Sequence, residues 1–349
     1  MDKTNAVANM RNSNIEMLRF LMMFGICMWH ILMHGFGLRH MATNEMHPSY
    51  EQILALCFLV PATNCFMFIS GYFGLKLKRE KLISLFVQAT FYYLLCIIIR
   101  DTCSFGLWIG LSYIIKNPFP LTNGAWWFLT WYIVIMIISP LVELNGGKKR
   151  DSLITSMMIF INSFGIWLNH RSSGSDLMGL LTIYMTGRML SKYYRELEKI
   201  TIKFWLFIFF LVTAVLTLAA AAFSSRGDDK MVWTLLMYNN PMVIIQAVSL
   251  FYFTKGLPMK LWSIPRFLGS HCFAIYLITE FTSNAFYILW RNVYESHGMI
   301  IMFALALGTC ILICFIDRVR VVLSVNVNKV LLRMIYKIER RCEALVTDE

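Results

Sequence analysis

The stretch Asn14-Ile-Glu-Met-Leu-Arg-Phe-Leu-Met-Met-Phe-Gly-Ile-Cys-Met-Trp-His-Ile-Leu-Met-His-Gly-Phe-Gly37 is long and apolar enough to cross a bilayer, yet it carries Arg19, His30 and His34. An ionisable group at the centre of a bilayer costs roughly 3 kcal/mol or more, so a purely structural span would exclude all three. Their spacing is informative. Eleven helical residues advance about 1,100°, close to three whole turns, which puts Arg19 and His30 on one face about 16 Å apart along the axis. His34, four residues after His30, shares that face. One stripe of the helix therefore presents a fixed cation at one depth and two titratable imidazoles at another, the outline of a catalytic or transport site.

Composition gives the class of the remainder. Of 349 residues, 58% are hydrophobic and only 15% charged, and the mean hydropathy is +0.60, values that exclude an ordinary soluble domain and indicate a polytopic membrane protein. A net charge of +12 raises the question of nucleic acid. The basic residues instead fall in short clusters between apolar runs, as loops facing the cytoplasm do, and no nucleic-acid partner is expected. The nine cysteines lie mostly inside apolar runs, without metal-ligand or disulfide spacing, and read as packing residues; no metal is expected.

Outward from the first segment, apolar runs give ten expected spans, at about 15–38, 52–74, 82–100, 126–144, 152–169, 177–190, 202–223, 231–253, 267–289 and 299–317. With the N-terminus in the cytoplasm, 25 of the 32 basic residues fall inside and seven outside, which favours ten transmembrane helices with both termini cytoplasmic. The expected fold class is thus all-α and polytopic. Residues 105–115 are apolar but too short to span and are expected to be interfacial or re-entrant. Run 177–190 is the weakest span, a candidate for a tilted or protein-buried helix. Prolines 61 and 241 fall within spans, where they should kink the helix. Residues 1–317 form the membrane domain, and 318–349, with Arg333, Lys337, Arg340 and Arg341 among apolar residues, read as a basic amphipathic cytoplasmic tail on the inner leaflet.

Four stretches carry a resemblance. Arg19 followed by His30 in the setting Asn14-Ile-Glu-Met-Leu-Arg resembles the first-helix signature of the acyltransferase 3 family of integral membrane acyltransferases. Phe66-Met-Phe-Ile-Ser-Gly-Tyr-Phe73, with the basic Lys-Leu-Lys-Arg-Glu-Lys that follows, is similar to the family's second helix and cytoplasmic loop. The aromatic-rich run from Trp126 to Ser-Pro-Leu141 resembles its fourth helix, and Leu268-Gly-Ser-His-Cys-Phe-Ala-Ile-Tyr-Leu-Ile278 its late motif. Many relatives place His-Glu after that late motif, whereas this chain has Thr279-Glu280. Only the carboxylate is retained.

The resemblance implies transfer of an acyl group, most often acetyl, from cytoplasmic acyl-CoA to a carbohydrate or glycolipid hydroxyl at the inner (plasma) membrane of a bacterium. The residues suit that chemistry. Arg19, helped by Lys78, Arg79 and Lys81, is a candidate for holding the phosphates of acetyl-CoA. His30 is the candidate base for the attacking hydroxyl, with Glu280 orienting its ring and His34 close by. Trp127 and Trp131 are candidates for a flat apolar wall against sugar or acyl chain. Each has a plainer reading: snorkelling for Arg19, a solvated or capping role for His34, interfacial anchoring for Trp126, and a positive-inside cluster for Lys76 to Lys81. A proton-coupled transporter or flippase is the alternative function, since spans with buried His, Arg and Glu also describe a carrier.

Overall fold

The structure is a computed structural model and describes residues 12–43, 45–104, 126–142, 144–169, 173–258, 263–280 and 284–347. Its regular elements are helices, with no strand among the described residues. The expected interfacial piece at 105–115 lies outside them.

Helix α1 (Ser13–His30) begins where Asn12, in extended conformation, accepts a hydrogen bond from the Asn14 amide through its side chain, a conventional N-cap, with Glu16 favourably placed in the first turn. A π-helical turn, Ile31–Gly35, continues it. Helices α2 (Tyr50–Leu59) and α3 (Pro61–Phe73) form one path offset at Val60, because Pro61 has no amide proton to carry the ladder through. The helix is interrupted where the proline is expected to act, and the Cys57 carbonyl accepts a hydrogen bond from Gln246 instead. A capping box between Ser49 and Gln52 starts α2, and Gly74, at φ +76°, ends α3. Next come α4 (Arg79–Ser104), α5 (Trp127–Ile138), α6 (Lys148–Asn169), α7 (Leu177–Tyr193) and α8 (Ile202–Ser224). The chain closes with α9 (Asp229–Leu235), α10 (Pro241–Gly256), α11 (Ser263–His271), α12 (Phe273–Thr279) and the long α13 (Asn284–Thr347), interrupted at Gly298.

The centre of the molecule is α1. It packs against α2, α3, α10, α11, α12 and α13, and Met23, Met28, Ile31 and Leu32 are fully enclosed. Around it, α3 and α7 cross backbone to backbone: a Cβ on Gly187 would lie 2.6 Å from the Phe68 carbonyl oxygen and 2.7 Å from the Tyr72 amide nitrogen. Only glycine permits that approach, the small-residue packing that joins helices where lipid offers no hydrophobic drive. The periphery is the reverse of the core. On α8, Phe207 is 61% and Leu218 72% exposed, with Phe204, Phe210 and Leu211 beside them. Such a belt is stable only against lipid.

Five helical segments among the described residues are long and apolar enough to cross a membrane: Ser13–Gly35, Tyr50–Phe73, Arg79–Ile99, Ile202–Ser224 and Tyr287–Lys337. The chain is an all-helical, multi-pass membrane protein. Helix α7, from the weakest expected span, is largely buried in protein. Three expected spans differ in detail. Run 231–253 is not one kinked helix, because residues 236–240 leave the helix and Pro241 opens α10 at its first position, capped by Asn240. Run 267–289 is divided into α11, α12 and the start of α13, with helix breaks at Cys272 and after Thr279. Run 299–317 does not end at Asp317, since α13 continues without a break to Thr347.

That continuation has a polar anchor. Asp317, 1% exposed, accepts hydrogen bonds from Tyr92 (2.9 Å) and Gln88 (3.2 Å) on α4 and from Arg320 Nε (2.7 Å), and its other oxygen lies 2.8 Å from His271 Nδ1 on α11. Three helices thus meet on one buried carboxylate.

Candidate active site

His30 is the last residue of the α-helical part of α1, and the π turn that follows carries His34. A π turn inserts one extra residue and is common at functional sites. Here it keeps the two imidazoles close, with ring centroids 6.0 Å apart, while their surroundings differ: His30 is buried and His34 exposed. The broken end of α12 meets His30 from across the core. His30 Nε2 lies 2.6 Å from Glu280 Oε2, and His30 Nδ1 lies 3.1 Å from Thr279 Oγ1.

The α12 end is held in place from three directions. The Trp126 indole donates to the Leu277 carbonyl (3.1 Å), the Tyr287 hydroxyl donates to the Thr279 carbonyl (2.6 Å), and the Tyr276 hydroxyl accepts from the Phe128 amide (3.2 Å). The first of these corrects an expectation. Trp126 is no interfacial anchor but a fully buried side chain whose single N–H is used inside the core. Trp127 stacks on Tyr238 at 5.8 Å, whose ring also faces Trp29 at 6.3 Å; Trp131 is half-buried against the core.

Toward the other end of α1 the helices enclose a cavity of about 700 Å³. Arg19, Lys81, Gln88, Ser70, Tyr132 and Phe128 are among its walls. Arg19 pairs with Glu16 at 2.7 Å, and Lys81 donates to the Tyr132 hydroxyl at 3.1 Å. Of the four candidate phosphate-binding residues, the fold therefore brings Arg19 and Lys81 to one cavity. Arg79 instead lies over the Tyr336 ring of α13 at 5.9 Å, and Lys78 is exposed just ahead of α4; neither lines the cavity.

Between the cavity and His30 stands one aromatic layer. Phe128, a cavity wall, packs edge-on against Tyr276 at 5.9 Å, and Tyr276 faces the His30 ring at 6.2 Å. Glu16 was not singled out from sequence, although its position three residues before Arg19 on a helix signals an ion pair. It sits where only a glycine can face it: a Cβ on Gly269 of α11 would lie 2.5 Å from the Glu16 carbonyl and 2.6 Å from its Oε2.

The acyltransferase 3 family model, described as an acyltransferase domain, matches residues 12–317. The chain belongs to the acyltransferase 3 family. The match takes in α1 to α12 and the part of α13 up to Asp317, and so includes the cavity, the aromatic layer and the His30–Glu280 pair in one acyltransferase domain. Comparisons with curated proteins and with solved structures give no match. As an acyltransferase 3 protein the chain is a membrane acyltransferase, and its described residues bring the His30–Glu280 acid–base pair together at the centre of the domain.

Proposed function

We propose that this acyltransferase 3 protein is an O-acetyltransferase of the bacterial inner (plasma) membrane, moving acetyl from cytoplasmic acetyl-CoA to a hydroxyl of a surface polysaccharide or lipid-linked sugar. The observation that carries the reading is the buried contact of 2.6 Å between His30 Nε2 and Glu280 Oε2 inside an acyltransferase domain. A hydroxyl attacking a thioester must lose its proton, and a desolvated imidazole oriented by a carboxylate accepts it near neutral pH.

The cavity supports an anionic donor. Among the described residues its walls hold the cations Arg19 and Lys81 beside the Glu16 carboxylate, and the cations suit the phosphates of CoA, Arg19 by its planar fork and Lys81 as a point charge. The apolar walls, Phe66, Phe73 and Phe128, suit the pantetheine arm, which then points toward the aromatic layer and His30. On the exposed side, His34 and the stacked Trp127–Tyr238 pair offer the acceptor a polar edge and a flat ring. The carrier reading has no observation of its own beside these.

Membranes containing the wild-type protein, incubated with labelled acetyl-CoA, are expected to yield label in the extracted glycan or lipid-linked sugar and to release CoA. The same membranes with His30→Asn are expected to do neither. Equal CoA release with and without the protein, for acetyl-, propionyl- and butyryl-CoA alike, would overturn the reading.

A further inference from the structure

We propose that Thr279 is the residue that carries the acyl group: its hydroxyl, His30 and Glu280 form a nucleophile–base–orienter triad, and transfer passes through a Thr279 ester. The inference rests on the acyl-CoA-dependent reading above. It starts from the two nitrogens of one ring. An ionised carboxylate can only accept, so in the neutral imidazole the contact of 2.6 Å with Glu280 assigns the ring proton to Nε2. In that tautomer Nδ1 is the acceptor, and the group facing it at 3.1 Å, the Thr279 hydroxyl, is the donor. Hydroxyl, imidazole and carboxylate stand in the order that activates a hydroxyl nucleophile, with the roles of the two ring nitrogens exchanged relative to the familiar serine triad.

Several other buried threonines are used differently. Thr182, Thr186 and Thr213 donate to the carbonyl four residues back, the ordinary bond of a helical threonine, whereas the Thr279 hydroxyl lies on an imidazole 249 residues away in sequence. The arrangement also leaves an incoming sugar hydroxyl no free nitrogen on His30. Acylation removes that obstacle, because an ester oxygen has no proton to give and releases Nδ1 for the acceptor.

The steps balance. Thr279 Oγ attacks the thioester carbonyl carbon as its proton passes to His30 Nδ1. The C–S bond breaks, the CoA sulfur leaves with the bonding pair and takes that proton, and acyl-O-Thr279 remains. The acceptor hydroxyl then gives its proton to Nδ1 and attacks the ester carbonyl. The C–Oγ bond breaks, Oγ recovers the proton, and the acylated acceptor departs. Donor and acceptor need never be bound together. Ping-pong kinetics follow.

The test uses full-length protein in nanodiscs with labelled acetyl-CoA and no acceptor, quenched in denaturant and digested for mass spectrometry. Wild type and Thr279→Ser are expected to release one equivalent of CoA rapidly and to carry one acetyl group on the peptide containing residue 279, removable by mild alkali. Thr279→Ala and Thr279→Val are expected to carry none and to lose transfer to acceptor membranes by at least roughly 100-fold. A hydroxyl that only steadied the ring would never be acetylated. Normal transfer by wild type with no acetyl on Thr279, acetyl found on His30 instead, or near-normal transfer by both Thr279→Ala and Thr279→Val would overturn the triad while leaving the acyltransferase reading intact. Failure of wild type to release CoA even with acceptor membranes would overturn both.

Discussion

Two histidines one turn apart differ in each property that makes an imidazole a base. His30 is 6% exposed and held at both nitrogens, whereas His34 is open to the surface and touches only the rings of His30 and Tyr287 among the described aromatic contacts. We expect His30→Asn to lower acyl transfer by at least roughly 100-fold with protein level and donor binding retained, the scale of a lost general base. His34→Asn should cost less and act on the apparent affinity for acceptor. Steady-state kinetics of the two variants check this, and the reverse order would move the chemistry one turn outward. That His30 and Glu280 would find partners was legible in the sequence, because each is an ionisable group at a depth where it must be paired or used, and the fold pairs them with each other. The role proposed for Thr279 was not. A threonine costs little wherever it sits in a helix, and only the fold reveals that its hydroxyl faces the imidazole.

The α3–α7 crossing depends on an absence of side chains at Gly71 and Gly187. A leucine at 187 would drive into the Phe68 carbonyl and the Tyr72 amide, which are backbone atoms and cannot turn aside. Gly187→Leu should therefore separate the two helices, at a cost of about 1–3 kcal/mol or more, seen as a lowered Tm and a loss of monodisperse protein in size-exclusion chromatography. The α4–α11–α13 junction fails differently. Removing Asp317 leaves Arg320 and His271 facing a buried space without their carboxylate, so Asp317→Ala should destabilise by about 3–5 kcal/mol in the same measurement. The acid–base pair Asp317 and Arg320, three residues apart, could have been read as buried. The apolar run was instead taken to end at Asp317, since a charge at the edge of such a run ordinarily marks the water boundary. Breaks at residues 236–240 and after Thr279 were likewise invisible to hydropathy, which averages over a window and does not feel a broken ladder.

For the whole molecule, the apolar runs located the helices because hydrocarbon admits only a backbone whose polar groups are paired, and a long unbroken apolar run pairs them within a helix. The order in which they pack was not legible, since contacts such as His30 with Thr279 join the two ends of the chain. The charge bias supplies a topology to be tested. Single cysteines at Ser173 and Ser225, in a background with the native cysteines replaced, should react with an impermeant thiol reagent added to intact cells, while one at Ser152 should not. Labelling of the Ser152 position from outside would sink the ten-span arrangement. The aromatic layer between the cavity and His30 has one more consequence. Trp126, Phe128 and Tyr276 are each 3% exposed or less, and among the described residues they stand between the Arg19 cavity and the histidine pair. A membrane that stores energy as an ion gradient is short-circuited by any continuous wet path across it. In the proposed reaction the layer serves as an electrical insulator as well as a wall: a small acyl group would be handed across the protein without admitting protons, and a cell filled with this enzyme would keep its voltage.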